Sequence, residues 1–216
     1  MMEFKIKSGC PEKQRSACLV LAVFKDQVLS PAAHSIDNVT GNIISSLLKR
    51  GDISGETGKM LMLPQIPDIP AERVLLVACG KTAEFSSKKL LKVTAKVIRK
   101  LQENNITEAA LFLPELIIDN TDIGTRIEQI IIQTTHSNYQ PDSLKTKKEE
   151  KKSQLRKITL FVPERRDLTA GKQALQDGQA IAAGVKMARE LGDLPGNICT
   201  PSYLAEQATI IATEFG

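Results

Sequence analysis

The sequence predicts an α/β fold, a mixed sheet flanked by helices, and three observations predict it. Short apolar runs take turns with stretches whose apolar residues recur every three or four positions, which are the periods of strand and helix. One run, RVLLVACG from Arg73 to Gly80, is apolar nearly throughout and ends in glycine, as a strand covered on both faces requires. The chain has 216 residues, 42% apolar and 25% charged, which at the usual domain size is roughly one and a half domains. That leaves room for one complete core and part of another. No apolar run approaches the roughly 20 residues of a membrane helix, so a membrane span is excluded, as are collagen and wholesale disorder, and no membrane partner is expected.

Taken in order, residues 3–7 and 17–24 read as strands, 40–50 as a helix, and 59–64 and 73–79 as strands. The segment ACLVLAVF at 17–24 imitates a secretory core, but sixteen residues of both charge signs precede it and Lys25-Asp26 follow it, where small residues belong. The 40–50 helix places Ile43, Ile44, Leu47 and Leu48 on one face. Lys49-Arg50 and Gly51 stop it, cations suiting the negative helix end.

A second helix, 86–104, starts at Ser86 or Ser87 as N-cap. It turns Leu90, Leu91, Val97, Ile98 and Leu101 inward and Lys88, Lys89, Lys92, Lys96, Arg99 and Lys100 to water. A strand at 108–113 follows, then a helix from Thr121 or Asp122 to Ser137-Asn138 carrying Ile123, Ile127, Ile130, Ile131 and Thr134. Residues 141–154 lack an apolar period and read as a loop, and strand 156–162 closes the unit. From Thr169 to Leu191 runs a long helix whose stripe is small: Gly171, Ala174, Gly178, Ile181, Ala182, Val185 and Ala188. Glycine inside a helix costs about 1 kcal/mol relative to alanine, so a close neighbour is expected along this stripe. Ser202 to Phe215 begins another amphipathic helix, with Leu204, Ala208, Ile211 and Phe215 on its face.

Cys10, Cys18, Cys79 and Cys199 form no C-x-x-C pair, and a chain this long needs no disulfides. Free thiols in a reducing cytoplasm are the expectation. With only His34 and His136 beside them, no structural zinc site is predicted. GETGK, Gly55 to Lys59, resembles the end of a phosphate loop, yet Ile53 stands where the first glycine belongs and Met60 where the magnesium-binding hydroxyl belongs. Gly80-Lys81-Thr82 follows a strand but has Leu75 at the first-glycine position. Neither offers the cradle of N–H groups a phosphate needs. The formal charge of +4 is concentrated: residues 141–157 carry seven Lys/Arg against Asp142, Glu149 and Glu150, and the rest of the chain balances.

Four segments together resemble one family. LGDLPGNICTPSYLAEQA (191–208) is similar to the opening of the catalytic domain of leucyl, or cytosol, aminopeptidases. MEFKIKSGCPEKQRSAC (2–18), RVLLVACGK (73–81) and ERRDLTAGKQALQDGQAIAAG (164–184) resemble its bacterial aminopeptidase A branch, in order and spacing. The resemblance implies a macro-domain-like amino-terminal unit at 1–166, a linker helix at 167–192, and at 193–216 the truncated start of a metallopeptidase domain. It implies a cytoplasmic homohexameric parent that removes N-terminal residues from peptides with two divalent ions, manganese or zinc, which activate a bridging water.

Those ions are held in the family by the carboxy-terminal domain, so no catalytic residue and no metal ligand is carried onto this sequence, and no cofactor is expected in this chain. The family signature NTDAEGR has a decoy in NTDIGTR (120–126), where Gly124 stands at the glutamate position and Asp122 is expected at a helix cap. Two functions are therefore in view: an accessory and assembly region of an exopeptidase, or a module for double-stranded DNA. In the second, Lys88, Lys92, Lys96 and Lys100 on one helix and Lys147, Lys148, Lys151 and Lys152 on the loop would contact phosphates from the basic segments 88–100 and 145–157. Macro domains also bind ADP-ribose, but no glycine-rich loop suited to a diphosphate follows a strand.

Overall fold

The computed structural model describes residues 2–139 and 155–215. In chain order the elements are β1 (Glu3–Ser8), β2 (Leu19–Val23), α1 (Pro31–Val39), α2 (Ile43–Arg50), β3 (Met60–Pro64), β4 (Arg73–Ala78), α3 (Ser87–Glu103), β5 (Glu108–Leu111), α4 (Ile123–Asn138), β6 (Lys157–Val162), α5 (Asp167–Asp193) and α6 (Pro201–Phe215). The strands form one sheet in the order β1-β6-β5-β2-β4-β3. All neighbours are parallel except β3, which runs antiparallel along β4 with Met62 opposite Leu75.

Side chains alternate across a strand, and here both faces of the centre are covered. Leu19, Leu21, Val74 and Leu76 turn to one face, where Ala33 and Ile36 of α1 and Ile44 and Leu48 of α2 meet them. Val20, Ala22, Leu75 and Val77 turn to the other, against Leu90, Val93 and Val97 of α3 and Ile127 and Ile131 of α4. All five residues of β2 are fully buried. Each such leucine or valine contributes about 1.5–3 kcal/mol by leaving water, which makes the β2–β4 pair the anchor of the fold.

The long small-residue helix finds a close neighbour at two of its glycines, Gly171 and Gly178, and none at Gly184. A Cβ on Gly178 would lie 3.2 Å from the Cα of Glu128 in α4, and one on Gly171 3.0 Å from Ile6 Cγ2. Gly171, Ala174, Gly178 and Ala182 are the buried residues of α5, whereas Ile181 and Val185 of the expected stripe are exposed.

Two boundaries differ from expectation. The helix expected over 40–50 is confined to 43–50, because Gly41 and Asn42 both take left-handed backbone with φ of 68° and 61°. Ahead of it stands α1, which the apolar pattern did not predict. Asp37 of α1 is buried and accepts the Ser45 amide at 3.0 Å, joining the two short helices. The strand expected over 108–113 stops at Leu111, and Leu113–Glu115 form a single 3-10 turn.

Candidate functional site

In an open α/β sheet the crevice for ligands lies at the carboxyl ends of two strands whose outgoing connections leave in opposite directions. Here those strands are β2, which leads through α1 and α2 toward β3 and β4, and β5, which leads through α4 toward β6. The chain closes this crevice itself. The 3-10 turn after β5 brings Glu115 to the start of α1, where the Ala32 amide donates to Oε1 at 3.1 Å and Oε2 at 3.2 Å. The next amide, Ala33, donates to Ser30 Oγ at 3.3 Å. Burial pushes the Glu115 carboxyl above its usual range, opposed by the hydrogen bonds from Ser30 and the Ala32 amide.

Behind this turn Arg126 is buried, its Nε donating to Pro114 O at 3.2 Å and its Nη1 to Thr121 O at 2.7 Å. A helix amino terminus is the natural seat of an anion, and this one already holds a carboxylate of its own chain. That adds a structural reason to set the ADP-ribose reading aside. NTDIGTR is structural too: Asp122 caps α4 by accepting the Thr125 amide at 2.8 Å, as expected, and Arg126 staples the loop.

The two phosphate-loop decoys meet each other. Gly58 donates its amide to Ala78 O at 2.7 Å and Lys59 donates to Glu56 O. Thr57 Oγ1 donates to Cys79 O at 3.3 Å, and a Cβ on Gly80 would lie 2.6 Å from that hydroxyl oxygen. These groups tie a turn to the end of β4.

Of the lysines expected at phosphates, Lys88, Lys92, Lys96 and Lys100 share one stripe of α3, four residues apart. Lys88 and Lys92 are exposed and without an ion pair among the described residues. Lys96 instead donates to Gly58 O at 3.3 Å, and Lys100 lies 3.8 Å from Glu103. Lys147, Lys148, Lys151 and Lys152 lie outside the described residues.

Among the described residues no group of three or more His, Cys, Asp or Glu is placed to hold a metal ion. Burial drives the thiols of Cys18 and Cys79 up to about 12. The residues that hold the crevice and the far helices, Glu115 and the Tyr139–Asp193 pair, carry no signal in the sequence, since their partners lie 83 and 54 residues away.

What stands open is the carboxy-terminal end. Leu204, Ile210 and Ile211 of α6 are 44%, 49% and 40% exposed, as are Ile181 and Val185 of α5 to a similar degree. Among the described residues no helix is long and apolar enough to cross a membrane.

Residues 20–148 match the cytosol aminopeptidase family, N-terminal domain. The chain belongs to that family. It is 44% identical over 214 residues to probable cytosol aminopeptidases of Aeromonas salmonicida and Aliivibrio fischeri, covering 99% of this chain and 43% of each relative. The chain thus spans less than half the length of these cytosol aminopeptidase relatives. Among solved structures, a tomato leucine aminopeptidase mutant matches with a TM-score of 0.73 at 20% identity, over 99% of this chain and 42% of that one. The bottromycin maturation enzyme BotP matches with a TM-score of 0.68 at 16% identity, over 92% and 37%. These two likenesses establish a shared fold.

Proposed function

We propose that this chain is the amino-terminal accessory and assembly region of a metal-dependent leucyl aminopeptidase. In this reading residues 1–166 are the α/β domain, 167–192 the linker helix, and 193–216 the first part of the catalytic domain. The observation that carries it is α6, an amphipathic helix whose Leu204, Ile210 and Ile211 face water, in a chain whose relatives hold more than half their length outside the aligned part. Removing such side chains from water is worth about 25 cal/mol per Å², and the catalytic domain is the surface that would do so. Peptide substrates, two manganese or zinc ions, a homohexamer and a cytoplasmic location belong to that whole enzyme.

A chimera tests this reading. This chain replaces the aligned region of the Aeromonas salmonicida relative, and sedimentation and hydrolysis of leucine 4-nitroanilide are measured. A hexamer with chelator-sensitive activity is expected. A folded chimera that neither assembles nor hydrolyses would count against the accessory role.

A second reading, a duplex DNA module using 88–100 and 145–157, is favoured by Lys88 and Lys92, exposed on one stripe and without an ion pair among the described residues. It predicts counterion-driven binding, each neutralised phosphate adding about −0.9 to the slope of log K against log salt. Replacing Lys147, Lys148, Lys151 and Lys152 by alanine should flatten that slope without changing sequence preference. No duplex binding at low salt would remove this reading.

A further inference from the structure

Burial along helix α5 ends well before the helix does. Its last buried residue is Ala182, yet the helix continues to Asp193. At about 1.5 Å per residue those extra turns reach roughly 16 Å further. An arm of that length held only at its root would turn a small bend into a large displacement of its tip.

Two side-chain links occur near that tip, and both run to the end of α4. Tyr139, which caps α4, donates its hydroxyl to Asp193 Oδ2 at 2.7 Å. The Arg189 guanidinium lies over the same ring, 4.3 Å from its centroid, and Nη1 donates to His136 O at 3.4 Å. Arg189 therefore brings a cation to the carbonyl end of a helix, where the macrodipole favours it. Below them Ile132 and Thr135 of α4 face Ala182 and Val185 of α5 across a shallow groove. Among the described residues no other side-chain hydrogen bond or ion pair ties 183–193 to the rest of the chain.

We propose that Tyr139, Arg189 and Asp193 form a clamp that fixes the direction of the far half of α5 relative to the sheet, and with it the position of α6. They are positioning residues. The ring is the platform for Arg189, its hydroxyl holds Asp193, and the two contacts grip α5 one helical turn apart. The clamp is a property of this chain and stands independently of the function proposed above.

The test measures the arm directly. Cys10 is exposed and follows β1, beside β6, from whose end α5 departs. Gly192 lies near the tip with open space around it. Nitroxide labels on Cys10 and on Gly192→Cys, with Cys199→Ser, span most of α5, roughly 40 Å, and double electron–electron resonance reads the distribution. Buried Cys18 and Cys79 stay unlabelled. The parent protein should give one narrow distance, and Tyr139→Ala and Asp193→Ala should each at least double its width while the melting of the sheet body is retained. Asp193 is exposed at a helix end, so its variant folds even if Tyr139→Ala does not. Equal widths in parent and Asp193→Ala, or a parent that is already broad, would overturn the clamp.

Discussion

Both carboxylate oxygens of Glu115 lie within 3.2 Å of the Ala32 amide, so the first turn of α1 is capped by a side chain from the turn after β5. The contact joins the two faces of the sheet at the point where a ligand crevice would otherwise open. Glu115→Ala leaves that amide unsatisfied and should cost about 1–3 kcal/mol, measured by denaturant unfolding. Because burial raises the Glu115 carboxyl, folding favours its protonated form. Its contribution is full below the ordinary glutamate range and is lost as pH rises through the raised one. Glu115→Gln should therefore flatten the decline in stability over that interval, and an unchanged slope would contradict the assignment.

The glycines of α5 should respond in opposite directions. Nothing lies within 4 Å of a Cβ placed on Gly184, so Gly184→Ala should stabilise by about 0.5–1 kcal/mol through helix propensity alone. At Gly178 the same Cβ meets the Glu128 backbone at 3.2 Å. Gly178→Leu should lose about 1–3 kcal/mol or more to overpacking. Thermal unfolding of the two variants decides it, and equal effects would contradict the α4–α5 packing.

Thiol chemistry should separate the cysteines by burial. Cys10 is exposed and Cys199 partly so, whereas Cys18 and Cys79 are fully buried with thiols at about 12. The thiolate is the reactive form, so a disulfide reagent at neutral pH should label two sites promptly and the other two only on unfolding. Prompt labelling of four would show the β2–β4 centre to be open.

Helix α6 has 15 residues, near the length at which an unsupported helix is marginal in water. Its amides at 204–214 should exchange orders of magnitude faster than those of β4, read by hydrogen exchange with mass spectrometry. Protection equal to that of Arg73–Ala78 would show that its apolar face is covered within this chain.

Much of the fold was legible because its signals are local. RVLLVACG reads as a doubly covered strand, and Asp122 reads as a cap three residues before the amide it accepts. Helix α1 escaped because its buried face is Ala32, Ala33, Ile36 and Asp37, three small or polar residues around one isoleucine, so the apolar period is faint. Ser30-Pro31 was the available sign, a cap followed by proline at the first helical position. Gly41-Asn42 is a left-handed pair that separates α1 from α2, glycine and asparagine being the residues that adopt such backbone at least cost, yet Ile43, Ile44, Leu47 and Leu48 alone do not mark where the helix begins. The closed crevice and the α4–α5 clamp were illegible for a different reason. They depend on Glu115 meeting Ala32 and Tyr139 meeting Asp193, pairs that only the folded topology brings together.

Hydrolysis of leucine 4-nitroanilide by purified residues 1–216 with added manganese or zinc tests the proposed accessory, non-catalytic role of this region. A rate equal to that of a mock purification is expected. Hydrolysis above that background, abolished by a chelator, would contradict it.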